Sequence, residues 1–270
     1  MSGKVWFITG ASRGFGRVWT EAALERGDRV AATARDVAAL DGLAAHYGNA
    51  VLALPLDVAE RVSVGKAVSA AHERFGRLDV VVNNAGYGLF GAVEDVTEKQ
   101  ARAQFETNFF GALWVTQAVL PILREQHSGH LVQLSSIGGI ASWPMFGLYH
   151  ATKWAIEGMS DALAQEVARF GIHVTILEPG PYRTDWRGSS ALWADPSPAY
   201  AEWAKAPGIG SPPGDPAATA APMMELVDAE QPPLRAFFGS SALEMTRAVY
   251  EDRLRVWEQW DAVAKEAQGS

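Results

Sequence analysis

The sequence contains no cysteine, which excludes a disulfide, a thiolate nucleophile and a thiolate-bound metal. It has no run of Lys and Arg, and its net charge of −8 has the wrong sign for a nucleic-acid backbone. No fixed-period repeat is present, so a solenoid is excluded. The opening run Lys4-Val-Trp-Phe-Ile8 reads as a strand and is too short for a signal core or a membrane span. What is there is 270 residues, 48% hydrophobic and 20% charged, a balance that reads as globular rather than disordered. The expectation is a cytoplasmic protein with no nucleic acid, membrane or metal among its partners.

Short apolar runs at Val5–Thr9, Arg29–Thr33, Val51–Leu56, Leu78–Asn83, His130–Ser135, His173–Glu178 and Leu234–Phe238 are strand candidates. Between them, apolar residues recur at three- and four-residue spacing over Arg17–Arg26, Val37–His46, Arg61–Phe75, Gln100–Gln126 and Tyr149–Phe170, which predicts helices. Strands that alternate with helices and are buried on both faces imply a parallel sheet wound by right-handed crossovers. Residues 1–270 are therefore expected to form a single α/β domain with a doubly wound, mostly parallel, seven-stranded sheet. The stretch from about Trp186 to Pro222 breaks the rhythm with Ala, Pro, Gly and Ser around Trp193, Tyr200 and Trp203, and reads as a lid over a substrate. Ala242–Ala267 predicts an amphipathic helix whose stripe includes Leu243, Val249, Leu254 and Trp257.

Thr9-Gly-Ala-Ser-Arg-Gly-Phe-Gly16 follows the first strand and opens the first helix. Gly10, Gly14 and Gly16, with Ser12, Arg13 and Phe15 between them, permit a tight turn and close approach of a pyrophosphate to a helix N-terminus. The second strand ends in Ala34-Arg35 with no acidic residue at its tip, and Asp36 is placed to cap the next helix. Arginine suits a 2′-phosphate, whereas an NAD site wants a carboxylate there. Arg13 and Arg35 converging on a phosphate favour NADP(H) over NAD(H).

Tyr149-His-Ala-Thr-Lys153 sets a phenol and an ammonium four residues apart, on one face if helical. The lysine charge is expected to lower the tyrosine pKa towards the range of a general acid or base. His150, next in line, is expected to point away from Tyr149 and take no part.

With these motifs in view, the chain resembles the short-chain dehydrogenase/reductase family, over nearly all of Lys4 to Thr184. Asp57-Val58 is similar to the family's adenine-contacting pair. Asn83-Asn84-Ala85-Gly86 is similar to its N-N-A-G motif. Asn108 falls at its helix asparagine, Ser136 stands thirteen residues before Tyr149 as its catalytic serine does, and Pro179, Gly180 and Thr184 are similar to its nicotinamide carboxamide segment. The resemblance implies a Rossmann-type fold and a homo-oligomer, either dimer or tetramer. It also implies hydride transfer between NADP(H) and a carbonyl or alcohol. Tyr149 would act as acid, Lys153 as its activator and ribose holder, Ser136 as carbonyl anchor, and Asn108 as holder of a proton-relay water.

Tyr87, Leu89, Phe90, Met145 and Phe146 are expected to line the substrate pocket beneath Trp186, Trp193 and Trp203. No acidic or phosphate anchor is evident, so a hydrophobic ketone, aldehyde or matching alcohol is the expected substrate. Two other readings stand beside this one. The first is an NAD-dependent secondary alcohol dehydrogenase; the second is a non-catalytic dinucleotide sensor.

Overall fold

In the computed structural model, the strand β1 (Val5–Ile8) is buried at every residue. Val5 and Phe7 enter one core, Trp6 and Ile8 the other, the two-residue alternation of a strand covered on both faces. The structure describes residues 3–188, 190–203 and 212–269, so residues 189 and 204–211 of the expected lid lie outside the described residues, as does the side chain of Arg187.

Around β1 stand β2 (Arg29–Ala34), β3 (Val51–Pro55) and β4 (Val80–Asn83), then β6 (Gly129–Leu134), β7 (Ile172–Pro179) and β9 (Arg235–Phe238). Their order is β3-β2-β1-β4-β6-β7-β9, and each pairing is parallel. Pro55 is tolerated because β3 is an edge. A separate two-stranded ribbon joins β5 (Leu89–Phe90) to β8 (Leu192–Trp193). The sequence pattern did not foretell it.

Helices α1 (Gly14–Glu25) and α7 (Ala220–Asp228) share one core with α2 (Asp41–Tyr47), while α3 (Arg61–Phe75), α5 (Gly111–Gln126) and α6 (Gly147–Val167) share the other. The periodicity over Gln100–Gln126 predicts one helix, and the structure breaks it. α4 (Glu98–Phe105), opened by a Thr97–Gln100 capping box, passes through a π-type turn at Glu106–Phe110 before α5 begins. That wide turn carries Asn108. Val37–His46 likewise splits into a 3₁₀ turn at Val37–Leu40 and α2.

The described lid residues are laid against the body. Leu192 N donates to Gly88 O at 2.9 Å and Ala194 N to Phe90 O at 2.8 Å. Ser197 N reaches Asp95 Oδ2 at 3.1 Å, and Tyr200 Oη donates to Glu94 Oε2 at 2.8 Å. The last helix, α8 (Ala242–Ala267), matches its expected bounds residue for residue. Arg253 fastens it, donating to Ile140 O at 2.6 Å and stacking 4.8 Å from the Trp154 ring. Beyond Arg253 every residue to Ala267 is exposed, Leu254, Trp257, Trp260 and Val263 included.

Candidate active site

The carboxyl ends of the strands open into a cavity of about 720 Å³, and the strand order reverses at β1 and β4, where such sheets hold ligands. The glycine loop is one wall. Gly10 has φ +68°, a left-handed turn that glycine enters without strain. A Cβ on Gly16 would lie 2.3 Å from Gly10 O and 2.6 Å from Asn84 Nδ2, so α1 closes on the loop only past a hydrogen atom. Asn84 Nδ2 donates to Thr9 O at 2.8 Å and Gly10 O at 3.1 Å. Thr9 Oγ1 accepts from Asn84 N at 2.9 Å and Ala85 N at 3.0 Å. Helix α1 begins without a side-chain cap and without an acidic residue in its first turn. Its positive end is thus uncompensated at the cavity, and the residues fit a pyrophosphate.

Of the sequence candidates, Gly10, Ser12, Arg13, Gly14, Phe15, Arg35, Asp57, Val58, Asn84, Ala85 and Gly86 line this one cavity, with Ser136, Tyr149, Lys153, Pro179, Gly180 and Thr184. Gly16 and Asn108 stand behind its wall. Asn108 is buried, accepting from Tyr87 N at 3.0 Å through Oδ1 and donating through Nδ2 to Tyr87 O at 3.0 Å and Thr152 Oγ1 at 3.2 Å. It pins the loop after β4 to α6. Asp36 caps, as expected, accepting from Ala38 N at 3.1 Å, and Arg35 stands alone of the two at the cavity rim. Arg13 departs from expectation: its Nη1 lies 2.7 Å from Asp185 Oδ2, so its guanidinium is engaged with the lid rather than turned to Arg35.

The reacting groups meet where β6 ends and α6 begins. Ser136 Oγ accepts from Gly138 N at 3.0 Å, which leaves its own proton to donate. Lys153 Nζ donates to Leu134 O at 2.7 Å and stands 5.8 Å from the centre of the Tyr149 ring. The expected downward pull of Lys153 on Tyr149 is not what decides its pKa. Burial pushes the phenol up to about 12, with the Ser136 hydrogen bond opposing, and burial also pushes Lys153 down to about 8, with Glu157 opposing. Trp186 seals the phenol, its ring edge-on to Tyr149 at 4.9 Å.

His150 is not the bystander that its helix position suggested. It is buried; Nε2 accepts from Trp143 N at 3.1 Å, so Nδ1 carries the proton donated to Gly138 O at 2.9 Å. Both nitrogens clasp the loop that follows Ser136. Burial holds the ring pKa below its ordinary 6.5, and protonation would remove the acceptor for Trp143. The clasp contributes fully above pH 6.5 and is lost as pH falls through the lowered pKa. His150→Phe should cost about 1–3 kcal/mol by orphaning the buried Gly138 carbonyl and the part-buried Trp143 N–H. Melting curves from pH 8 to 5 should show a gentler acid decline in the variant.

At the substrate end, Tyr87, Phe146 and Trp186 line the cavity as expected, joined by Trp143 and Leu192, which sequence reasoning missed. Leu89 and Phe90 lie buried behind it in β5, while Trp193 and Trp203 are 57% and 51% exposed. Met145 has φ +70°, a strained conformation for a non-glycine residue, and its carbonyl accepts from Gly91 N at 2.8 Å.

The sequence profile of the short chain dehydrogenases matches residues 4–195. The chain belongs to that family. This short-chain dehydrogenase is 44% identical to the oxidoreductase BOA17 of Botryotinia fuckeliana, an alignment that covers 95% of this chain and 96% of the relative. It is 41% identical to a short-chain dehydrogenase from Streptomyces avermitilis whose crystal structure overlays with TM-score 0.92, across 98% of this chain and 99% of that one. A Burkholderia phymatum short chain dehydrogenase/reductase crystallised with NAD is 25% identical, with TM-score 0.80 and coverage of 93% and 94%. The chain is thus an oxidoreductase of this family. Among the described residues no helix is long and apolar enough to cross a membrane.

Proposed function

We propose that this short-chain dehydrogenase reduces a hydrophobic ketone or aldehyde with NADPH, and runs the reverse with NADP⁺. The observation that carries the reading is the convergence of Ser136, Tyr149 and Lys153 on the cavity that the glycine loop walls. The loop and the α1 N-terminus would hold the pyrophosphate, Asp57 and Val58 the adenine, and Pro179, Gly180 and Thr184 the carboxamide. Tyr149 and Lys153 would hold the nicotinamide ribose. NADPH bound there would supply the hydride. Tyr149, its pKa held near 12 by burial, is fully protonated at neutral pH and gives its proton to the carbonyl oxygen. The Ser136 hydroxyl, oriented by Gly138 N, donates to the same oxygen and fixes it. Lys153 stabilises the phenolate left behind, and Asn108 keeps the α6 and β4 loops in register.

Trp143, Phe146, Trp186 and Leu192 around Tyr149 favour an aryl or long aliphatic carbonyl. The apolar stripe left exposed on α8 favours a homo-oligomer, and the cysteine-free sequence accords with a cytoplasmic setting.

The test is NADPH consumption over a panel of aryl and alkyl ketones and aldehydes, with NADH in parallel. Turnover with NADPH is expected; silence across the panel overturns the reading in favour of a dinucleotide sensor, and preference for NADH favours the NAD-dependent alcohol dehydrogenase. Arg35 supplies the discrimination, because Asp36 is committed to its cap. Arg35→Asp should lower kcat/KM for NADPH about ten- to hundredfold, the worth of one charge-assisted contact, and raise it for NADH. Steady-state rates with both cofactors check this, and an unchanged ratio removes Arg35 from the phosphate site.

A further inference from the structure

One turn after Lys153, α6 carries Glu157, and β7 carries Glu178. The Glu178 side chain is fully buried and that of Glu157 is 11% exposed. Arg235 on β9 is their cation: its Nε stands 3.4 Å from Glu157 Oε2 and 3.7 Å from Glu178 Oε1, and its Nη2 donates to Asp161 Oδ2 at 3.0 Å. Asp161 is half-exposed, so water screens it. That leaves two buried carboxyls with one guanidinium between them. Neither Glu178 oxygen has a donor within hydrogen-bonding distance among the described residues. Two carboxylates offer each other only acceptors, and one proton between them turns the repulsion into a hydrogen bond.

Among the described residues, the other groups around the pair add one further cation, Lys153. Ser135 follows β6 and is neutral. From α8, Arg253 is turned to Ile140 O and the Trp154 ring. On α6 the remaining cation is Lys153, whose charge Glu157 supports.

We propose that Glu157 and Glu178 share a single proton, and that Glu157 is a positioning residue whose part of the pair's charge keeps the Lys153 ammonium protonated beside Tyr149. The shared proton stands on the geometry of the pair; the effect on Lys153 rests on the reductase reading. Burial acts in the same direction on both acids, raising Glu157 and carrying Glu178 to about 8. At neutral pH the pair then bears one negative charge, matched by Arg235.

The full-length protein tests both halves. Infrared spectra at pH 7 should contain a protonated-carboxyl stretch that titrates away near pH 8. It should vanish in the near-isosteric variants Glu157→Gln and Glu178→Gln, where the surviving acid faces Arg235 alone. No such band in the wild type overturns the shared proton, whatever the activity. For the reduction, the alkaline limb of the pH–rate profile reports Lys153. Glu157→Gln should move that limb down by about one pH unit and Glu178→Gln should move it up, since Glu157 is then fully charged. Equal losses of rate with no movement of the limb would mean a purely structural pair and overturn the role given to Glu157.

Discussion

Tyr149→Phe should lower the rate of carbonyl reduction by about a hundred- to ten-thousandfold, the range in which a positioned acid acts. The substitution removes one oxygen and little else. The phenyl ring keeps its buried site and its edge contact with Trp186 at 4.9 Å, and the glycine loop is untouched. NADPH affinity, read from fluorescence quenching, should therefore change only a few-fold. With the carbonyl no longer protonated, a retained KM and collapsed kcat should follow. Turnover above a tenth of the parent's would remove Tyr149 from the role of acid.

The second large effect lies in the loop. Gly16→Ala should destabilise the fold by about 1–3 kcal/mol, the cost of overpacking a closed contact, and weaken NADPH binding at least about tenfold. The obstacle is one backbone oxygen and one side-chain amide held by hydrogen bonds. The added methyl would meet Gly10 O at 2.3 Å and Asn84 Nδ2 at 2.6 Å, and neither yields without loosening the bonds Asn84 makes to Thr9 and Gly10. Gly14→Ala is the contrast: the nearest atom there is Thr184 Cγ2 at 3.7 Å, so only the strain of φ +56° remains, about 1 kcal/mol. Thermal melts and NADPH titrations of the two variants should separate clearly. Equal effects would show that conformational freedom, not close approach, is what the loop needs.

The sheet was legible in the sequence because buried parallel strands read as continuous apolar runs. Each of the seven expected strands lies within one or two residues of its observed bounds. The glycine loop, Ser136, Tyr149 and Lys153 were legible too, because their spacing is dictated by one strand-to-helix junction and one helical turn. The ribbon of β5 and β8 was hidden, since two residues are too few for any period. The π-type turn at Asn108 was hidden because one extra residue per turn barely disturbs the apolar spacing around it. His150 was misread for a different reason. Helical geometry turned it from Tyr149, but the loop 138–143 folds back over that same face. The Tyr149 pKa could not be read from its neighbour in sequence, because burial outweighs the nearby charge. Arg13 has its sign fixed by sequence, but its partner is Asp185, a residue far along the chain.

The strand order also has a meaning in time. A chain leaves the ribosome N-terminus first, and in this sheet each strand in turn adds to an edge already made: β2 and β3 outward on one side of β1, then β4, β6, β7 and β9 on the other. No later strand has to be inserted between two earlier ones. Every stage, though, presents an open parallel edge that can pair wrongly. Arg235 arrives on the final strand, after Glu157 and Glu178 have been synthesised. Until then two acids meant for the interior lack the cation that stands between them in the finished fold. The last strand brings the charge that those two acids face.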